Sequence, residues 1–358
     1  MIETNLTENL EMKNSLFCTR LTIVATAALL AACGGGGSSD PALPTPVPVV
    51  TPAPIVTPVP VVTPASLQTT VPALTYATSS EEYAFVSAYN DFRGKHGLGL
   101  LAQNPALDTA AKNHLNYLML NKDTNWITGI LDPASGVPLF HIENPARSGF
   151  TGVTELQRMQ FAGYPATYGG EFGSYGGGRG GKIAFQSLIN TVYHRMGLMS
   201  QFPREIGIAA GTDGYQTFVI EYGYQSTQQR NSKDFFGAYP ADSQTGIPLS
   251  TSLETPNPFP DVTYSELASK TSYPVSVASQ EYTSLTVGAF TITEAGQSTA
   301  LPGRIMTQAN DQNNMIWKNV AFFIGGAPFK ANTTYNAAFS GTVNGAAINK
   351  TWSFSTGN

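Results

Sequence analysis

The spacing of apolar residues predicts three helices in the first half of the chain. The first follows a capping box in which Ser79 lies three residues before Glu82. The second is predicted to begin at Pro105, with Asn104 as its N-cap. The third is predicted over 182–199, where apolar side chains recur on one face. The first half of the body is therefore expected to be rich in helix.

Alternating apolar and polar positions predict strands further along the chain. A turn at 211–214 separates the first two strands, and Asn344-Gly345 is a strong signal for a type I′ turn between the last two. The predicted strands are 205–210, 217–223, 287–292, 319–324, 334–343 and 346–355. Helices mixed with antiparallel strands predict an α+β fold, and the strands after residue 255 predict a separate all-β region.

The N-terminal segment contains a short apolar run that ends at a cysteine. The run, 21–32, is shorter than the roughly 20 residues that cross a bilayer as a helix. It ends in Leu30-Ala31-Ala32-Cys33, which resembles the lipobox of bacterial lipoproteins. Residues 1–32 are therefore predicted to be a signal peptide, and Cys33 is predicted to carry a lipid anchor. A secretory peptide with an incidental cysteine is the alternative.

The region 33–77 combines a short Gly/Ser stretch with a longer Pro-rich segment. A Gly/Ser tether follows Cys33, and hexapeptides of the type TPVPVV repeat from Thr45 onwards. Such repeats favour an extended polyproline II spacer. The region is therefore predicted to be a linker that lifts the body away from its membrane. A docking strip for a proline-recognising partner is the alternative.

Composition excludes several classes of function. Charged residues make up 12% of the chain and the formal net charge is −5, so neither nucleic acid nor an anionic lipid surface is favoured as a partner. Cys18 lies within the predicted signal peptide, and Cys33 is the predicted lipidation site. Because neither would remain as a thiol in the body, disulfides, cysteine metal ligands and cysteine nucleophiles are excluded.

Residues 78–226 contain a series of landmarks in a defined order. These are Asn90-x-x-Arg93, Gly97-Leu98-x-x-Leu101, Leu107, Ala110, His114, Phe140-His141, Gly170-Glu171, His194-Arg195 and Ile206-Gly207. The series resembles the CAP superfamily, also called SCP or PR-1-like domains. The resemblance implies an α-β-α sandwich with a central cleft in which two histidines and acidic residues face each other. Phe172 replaces the family's usual Asn after the cleft Glu, and the aromatic residue found before the second His has moved to Tyr193.

By this resemblance, His141, Glu171 and His194 occupy the cleft, and Glu143 is a candidate second acid. Helical spacing over 182–199 independently places His194 opposite the apolar stripe, so that it faces solvent or a polar cleft. Two imidazoles and a carboxylate would suit zinc or another divalent cation, with one position open. The alternative is a hydrogen-bonded polar cluster that binds metal weakly and catalyses nothing.

The remaining histidines and one glycine motif are interpreted as structural. His114 lies on an apolar stripe and is predicted to pack there, and His96 is predicted to be exposed in a turn. Gly176-x-Gly178-x-x-Gly181 matches a dinucleotide fingerprint, but no predicted strand precedes it and no acidic residue follows at the required spacing. The sequence contains no G-x-S-x-G, so a serine-hydrolase elbow is not supported.

The C-terminal region resembles a different module. The segments 328–335, 341–345 and 351–357 are similar to the closing strands of bacterial Ig-like domains. That resemblance implies an Ig-like sandwich of seven strands over 255–358, with a structural or adhesive role. Residues 227–254 are interpreted as a connector between the two domains.

These features predict a lipoprotein of the cell envelope. Outer-membrane attachment in a Gram-negative bacterium is expected because Gly34 is not the Asp that signals inner-membrane retention. The predicted function is a binding or structural module whose His/Glu cleft holds a small ligand, a lipid or a divalent cation, with an envelope polymer as another candidate partner. The alternative is a metal-dependent hydrolase of envelope peptide or glycan, with His141 and His194 as metal ligands and Glu171 or Glu143 as acid/base. An adhesin with an unused cleft is the third hypothesis.

Overall fold

The computed structural model describes residues 67–175, 180–212 and 216–358, and all of them belong to one compact unit, Val61–Asn358. The predicted signal peptide, Cys33 and the repeats of the linker lie outside the described residues, as do parts of the glycine cluster and of the turn at 211–214. Within the described ranges, no helix is long and apolar enough to cross a membrane.

Six helices and twelve strands are present in the described residues. The helices are α1 Glu81–Lys95, α2 Pro105–Leu120, α3 Glu155–Phe161, α4 Gly181–Ile189, α5 Tyr193–Leu198 and α6 Leu267–Lys270. The strands are β1 Ala102–Gln103, β2 Tyr168–Ser174, β3 Glu205–Ala210, β4 Phe218–Tyr224, β5 Phe236–Tyr239, β6 Gln244–Ile247, β7 Val275–Ser279, β8 Leu285–Glu294, β9 Gly303–Met306, β10 Val320–Gly325, β11 Thr334–Val343 and β12 Ala346–Thr356. A short 3₁₀ helix, Leu139–His141, precedes α3.

The first two helices begin close to their predicted caps. The Asn104 side chain accepts a hydrogen bond from the backbone N–H of Ala106 at 2.9 Å, and Pro105 opens α2 as expected. The N-cap of α1 is Ser80, whose hydroxyl accepts from the N–H of Tyr83 at 3.2 Å, so the prediction of Ser79 was one residue early. Both helices therefore start where a side-chain oxygen satisfies a free N–H group.

The third predicted helix is in fact two helices. Residues 182–199 divide into α4 and α5, with Asn190, Thr191 and Val192 between them. The apolar spacing is uninterrupted across this segment, so the sequence pattern alone predicts a continuous helix. The backbone groups released at the break bind residues 251–254, which lie beyond the reach of a local pattern.

The first sheet lies between two helical layers. Its strand order is β1-β3-β4-β2, with β1 parallel to β3 and the other neighbours antiparallel. Strand alternation turns Ile208 and Ile220 toward α1 and α4, and it turns Ala209 and Val219 toward α2. The result is the expected α-β-α arrangement within an α+β chain.

Strand β2, with three glycines among its seven residues, is absent from the strands predicted from the sequence. A Cβ at Gly169 would lie 2.4 Å from Met159 Sδ, and one at Gly173 would lie 2.2 Å from the ring of Phe140. The glycines therefore admit close packing on a strand rather than marking a loop. Contrary to expectation, a strand does precede the Gly176–Gly181 motif, but β2 runs antiparallel to β4 and so does not form the parallel βαβ unit of a dinucleotide site.

Two four-stranded sheets form the C-terminal part. Their orders are β5-β7-β10-β9 and β6-β12-β11-β8, and their inner faces meet at contacts such as Phe290 against Phe323, with ring centroids 6.0 Å apart. The β11–β12 hairpin turns at Asn344 and Gly345, whose φ values of 49° and 84° confirm the predicted turn region.

The predicted connector is part of this sandwich. Strands β5 and β6 both lie within 227–254, and each joins one of the two sheets. The C-terminal part therefore has eight strands in the described residues instead of seven, and it begins before residue 255. Short strands bordered by Pro and Ser are interpreted as linker from the sequence, because the strands with which they pair lie far away along the chain.

Helix α5 joins the two parts of the body. The guanidinium of Arg195 lies between the rings of Tyr239 and Tyr273, 4.7 and 4.6 Å from their centroids. The Tyr193 hydroxyl donates to Asp311 Oδ1 at 2.6 Å, and Met196 packs in an apolar cluster with residues of β10. Because a buried cation is stabilised by aromatic faces and carbonyls, these contacts fix α5 to the sandwich as well as to its own domain.

Gly207 provides a test of the packing between α2 and β3. A Cβ at this position would lie 2.2 Å from the backbone N of Asp108, which cannot rotate aside. Gly207→Ala is therefore expected to lower the free energy of unfolding by about 1–3 kcal/mol, measured by urea denaturation. Gly94→Ala is the control, since its Cβ would meet only Leu100, at 3.7 Å. Equal stability of the two variants would contradict this packing.

Candidate functional site

A cavity of about 350 Å³ lies beside β2, at the edge of the first sheet. Its walls include Trp126, Phe140, His141, Ser174, Tyr175, Ser187, Leu188, His194, Gln216, Phe218, Leu253 and Glu254. Two of the three predicted cleft residues, His141 and His194, therefore line one cavity. The third, Glu171, lies directly behind His141.

His141 is held by a buried carboxylate. It ends the 3₁₀ helix before α3, and its Nδ1 donates to Glu171 Oε1 at 2.7 Å. The side chain of His141 is 23% exposed, whereas that of Glu171 is 2% exposed. Because Nδ1 is engaged and Nε2 has no hydrogen-bond partner among the described residues, Nε2 is the nitrogen available to a ligand.

Arg158 in turn holds Glu171. Its Nη2 donates to Glu171 Oε2 at 2.6 Å, and its Nη1 donates to the backbone carbonyl of His141 at 3.1 Å. Burial acts to raise the pKa of Glu171, but Arg158, together with His114 and His141, outweighs it and holds that pKa well below its usual range. Glu171 is therefore an ionised orienting group for His141 and does not present an acid to the cavity.

Glu221 is the second buried acid of this cluster. It lies directly opposite Glu171 across β4 and β2, and Arg158 Nε is 3.9 Å from its Oε1. Neither carboxylate oxygen of Glu221 accepts a hydrogen bond from the described residues. Burial and then the adjacent Glu171 raise the pKa of Glu221 well above its usual range, which favours its protonated form.

His114 and Glu143 form a second buried pair beside Glu171, whose Oε1 lies 3.6 Å from His114 Nε2. His114 is fully buried on the apolar side of α2, as predicted, but its Nδ1 lies 2.9 Å from Glu143 Oε1 and its Nε2 lies 2.7 Å from the carbonyl of Phe140. Glu143 Oε2 also accepts from the N–H groups of Thr151 at 2.6 Å and Gly152 at 3.2 Å. Glu143 is fully buried, and the residues that line the cavity do not include it, so the geometry gives this candidate acid/base a structural role.

The prediction that His96 is exposed was wrong. It caps the C-terminus of α1, and its ring packs against Phe92 and Tyr239 with centroid distances of 4.3 and 5.0 Å. Burial lowers the pKa of His96, which keeps the ring neutral against these aromatic neighbours. Sequence reasoning missed this packing because β5, which carries Tyr239, was read as part of a connector.

His194 is held by a carboxylate from the C-terminal side of the chain. Its Nδ1 lies 3.1 Å from Glu254 Oε2 and 3.3 Å from Thr191 Oγ1. The Thr191 hydroxyl donates its proton to the carbonyl of Leu188 at 2.8 Å. Its oxygen, like Glu254 Oε2, can therefore only accept a hydrogen bond from the His194 ring. Nδ1 therefore carries the proton, and Nε2 has no partner among the described residues.

Segment 251–254 also supplies hydrogen-bond partners for the backbone groups that are left free at the break between α4 and α5. The free carbonyl of Asn190 accepts from the Thr251 hydroxyl at 3.0 Å and from the N–H of Ser252 at 3.1 Å. Glu254 accepts from the N–H groups of Val192 at 2.7 Å and Tyr193 at 2.9 Å. These bonds replace the intrahelical ones that a continuous helix would make, and they turn α5 so that His194 faces the cavity.

The donor set does not fit a zinc site of the predicted kind. Structural and catalytic zinc takes three or four protein ligands. Glu171 and Glu254 are each committed to an Nδ1, which leaves two imidazole Nε2 atoms. Across residues 67–175, 180–212 and 216–358, no group of three or more His, Cys, Asp or Glu side chains could hold a metal ion.

Comparisons with known proteins add little to this geometry. No protein-family model matches the chain, and no curated protein matches it. An extracellular protein containing a SCP domain from Bacillus anthracis is 18% identical over 40% of this chain and 40% of its own length, with a TM-score of 0.31. An outer surface protein from Borrelia burgdorferi is 18% identical over 43% of this chain and 97% of its own length, with a TM-score of 0.32. Similarities this weak carry no argument about fold or function.

Replacing Glu221 by Gln should change the pH dependence of stability. A carboxyl whose pKa is raised by folding stabilises the folded state below its unfolded pKa of about 4.3, and that contribution is lost as the pH rises through the folded value. Gln mimics the protonated acid and does not titrate. The free energy of unfolding of Glu221→Gln, relative to the parent, should therefore increase by about 1 kcal/mol per pH unit above pH 5.

Urea unfolding of both proteins between pH 5 and pH 8 measures this difference. Glu171→Gln is the opposing control: its lowered pKa gives a contribution present above pH of about 4.3 and lost at lower pH, so removing it should reduce stability at neutral pH. Parallel pH profiles for Glu221→Gln and the parent would contradict a buried, protonated Glu221.

Proposed function

We propose that this chain is a cell-envelope lipoprotein whose cleft binds a small ligand through Nε2 of His141 and His194. The observation that carries the proposal is a pair of His–Glu contacts, of 2.7 and 3.1 Å, arranged around one cavity. Each carboxylate fixes an imidazole by its Nδ1 and leaves the Nε2 lone pair for a ligand. Such preorganised polar groups in a concave, partly apolar pocket are typical of small-molecule sites.

The lining of the cavity restricts the chemistry of the ligand. Trp126, Phe140 and Leu188 offer apolar walls, and His141 and His194 offer the acceptors. A volume of about 350 Å³ suits a small molecule. The favoured ligand is therefore a compact amphipathic molecule with an apolar body and hydroxyl or amine donors, such as a small lipid or an envelope building block. The CAP-like landmarks support this choice, because some members of that superfamily bind lipids.

Hydrolysis is the second candidate function. The buried Glu171 behind His141 resembles the carboxylate that orients the imidazole of a general base. The metal-dependent form of this hypothesis lacks a third ligand among the described residues, and Glu171 is occupied by Arg158 and His141. In a hydrolase, His141 itself would therefore be the base. Binding remains the function that the geometry supports best.

The envelope location rests on the N-terminal sequence. Residues 1–32 read as a signal peptide, Leu30-Ala31-Ala32-Cys33 reads as a lipobox, and the Pro-rich region 33–77 reads as a spacer. Two or three acyl chains on one cysteine give stable membrane attachment. We place the anchor in the outer membrane of a Gram-negative bacterium, with the body held away from the lipid surface.

Loss of both cleft imidazoles should abolish ligand capture. The chain purified from the envelope fraction is expected to carry a small-molecule adduct in native mass spectrometry. In His141→Ala/His194→Ala the amount of adduct is expected to fall at least tenfold, because two hydrogen bonds to the ligand are lost. His96→Gln, which changes a histidine outside the cavity, should retain the adduct. An adduct that survives the double change would contradict the proposed site.

Replacement of the lipobox cysteine tests the anchor separately. Cys33→Ser removes the sulfur that takes the lipid, so the chain is expected to lose incorporation of labelled palmitate and to move from the membrane pellet to the soluble fraction. Cys18→Ser is the matched control and should leave both properties unchanged. Undiminished labelling of Cys33→Ser would place the anchor elsewhere.

A further inference from the structure

We infer that Glu254 is a positioning residue of the cleft, which sets the tautomer and orientation of His194 from the C-terminal side of the chain. The inference deepens the proposed function and rests on it for its consequence in binding. Glu254 lies 60 residues after His194, in a segment that the sequence pattern marks as connector. Its carboxylate nonetheless lines the cavity and is 1% exposed.

Every hydrogen bond that the Glu254 carboxylate accepts from the described residues comes from one short stretch of backbone or from one ring. Oε1 accepts from the N–H of Val192 at 2.7 Å. Oε2 accepts from the N–H groups of Tyr193 at 2.9 Å and His194 at 3.2 Å, and from His194 Nδ1 at 3.1 Å. Because Oε2 also accepts from two backbone N–H groups, it acts as an acceptor here, and its partner nitrogen on the ring must be the donor.

The tautomer of His194 therefore depends on Glu254. In water, a free imidazole favours the proton on the nitrogen more distant from the backbone, which would place N–H at Nε2 and remove the lone pair from the cavity. Glu254 reverses this preference by accepting from Nδ1, as carboxylates that hydrogen-bond to metal-bound histidines do. The consequence is that both cleft imidazoles present the same atom, an unprotonated Nε2, to one ligand.

Both parts of the chain therefore contribute residues that line or orient the cleft. His141 and Glu171 belong to the α-β-α part, whereas Glu254 follows β6 of the sandwich. Arg195, held between Tyr239 and Tyr273, fixes the far side of α5. A shift of the sandwich against the first sheet would therefore move His194 and leave His141 in place, which gives the C-terminal part a direct role in ligand recognition.

The test is long-range ¹H–¹⁵N NMR of the ring nitrogens in the full chain with ¹⁵N-labelled histidine, without added ligand, at a pH where the rings are neutral. The parent is expected to show protonated Nδ1 at both His141 and His194. In Glu254→Ala, the Nδ1–H population of His194 should fall several-fold, because among the described residues only the weaker acceptor Thr191 Oγ1, at 3.3 Å, remains for Nδ1. In Glu254→Gln, a neutral amide oxygen replaces the carboxylate, so a smaller fall is expected. His141 should be unchanged in both variants.

Two controls separate positioning from a general loss of structure. Glu254→Gln keeps one oxygen that can accept from the backbone of Val192 or Tyr193, and thermal unfolding verifies that the variant is folded. Glu294→Gln removes a carboxylate paired with the exposed Lys330 and should leave the His194 signals unchanged. A folded Glu254→Ala variant in which the Nδ1–H population of His194 is unchanged would overturn the inference.

The same variants distinguish this inference from the proposed function. If the tautomer of His194 shifts and the purified variants also lose the small-molecule adduct, both statements are supported. If the tautomer shifts but the adduct is retained, or if the parent carries none, Glu254 positions His194 and the binding proposal fails. If the tautomer is unchanged, the positioning role fails whether or not an adduct is present.

Discussion

The break between α4 and α5 is the constraint on which the candidate site depends. A helix interrupted in a protein interior leaves N–H and C=O groups without partners, and each would cost about 1–3 kcal/mol if left unsatisfied. Here residues 251–254 supply the missing partners for Asn190, Val192 and Tyr193. Because those partners come from the C-terminal side, the break couples the two parts of the body, and the reorientation it permits brings His194 to the cavity.

The two histidines of the cleft are oriented by different groups. His141 is oriented by a carboxylate that an arginine holds ionised within the α-β-α part. Burial and the adjacent Glu171 raise the pKa of Glu221, the second acid of that cluster, which favours its protonated form. His194 is set by Glu254, whose own partners are backbone N–H groups. In both cases a buried carboxylate is stabilised by its own hydrogen-bond donors. In both cases the Nε2 atom of the histidine has no partner among the described residues.

Much of the fold could be predicted from local patterns, because caps and hairpin turns act over a few residues. Asn104, Pro105 and the Asn344-Gly345 turn are examples. Strand β2 could not be predicted in this way, since a glycine that allows close packing on a strand looks the same in the sequence as a glycine in a loop. Of the site, the family resemblance pointed to His141, Glu171 and His194. Glu254 and Arg158 were missed, because a contact across 60 residues or a buried charge in a short helix leaves no periodic signal in one sequence.

The most direct test of the account is chemical modification of the native chain with diethyl pyrocarbonate, followed by peptide mass spectrometry. This reagent acylates an accessible, unprotonated imidazole nitrogen. The account predicts rapid modification of His141 and His194, whose side chains are 23% and 20% exposed, and slow modification of the fully buried His114 and of the packed His96. Rapid modification of His114, or protection of either cleft histidine in the ligand-free protein, would contradict the arrangement of two free Nε2 atoms around one cavity.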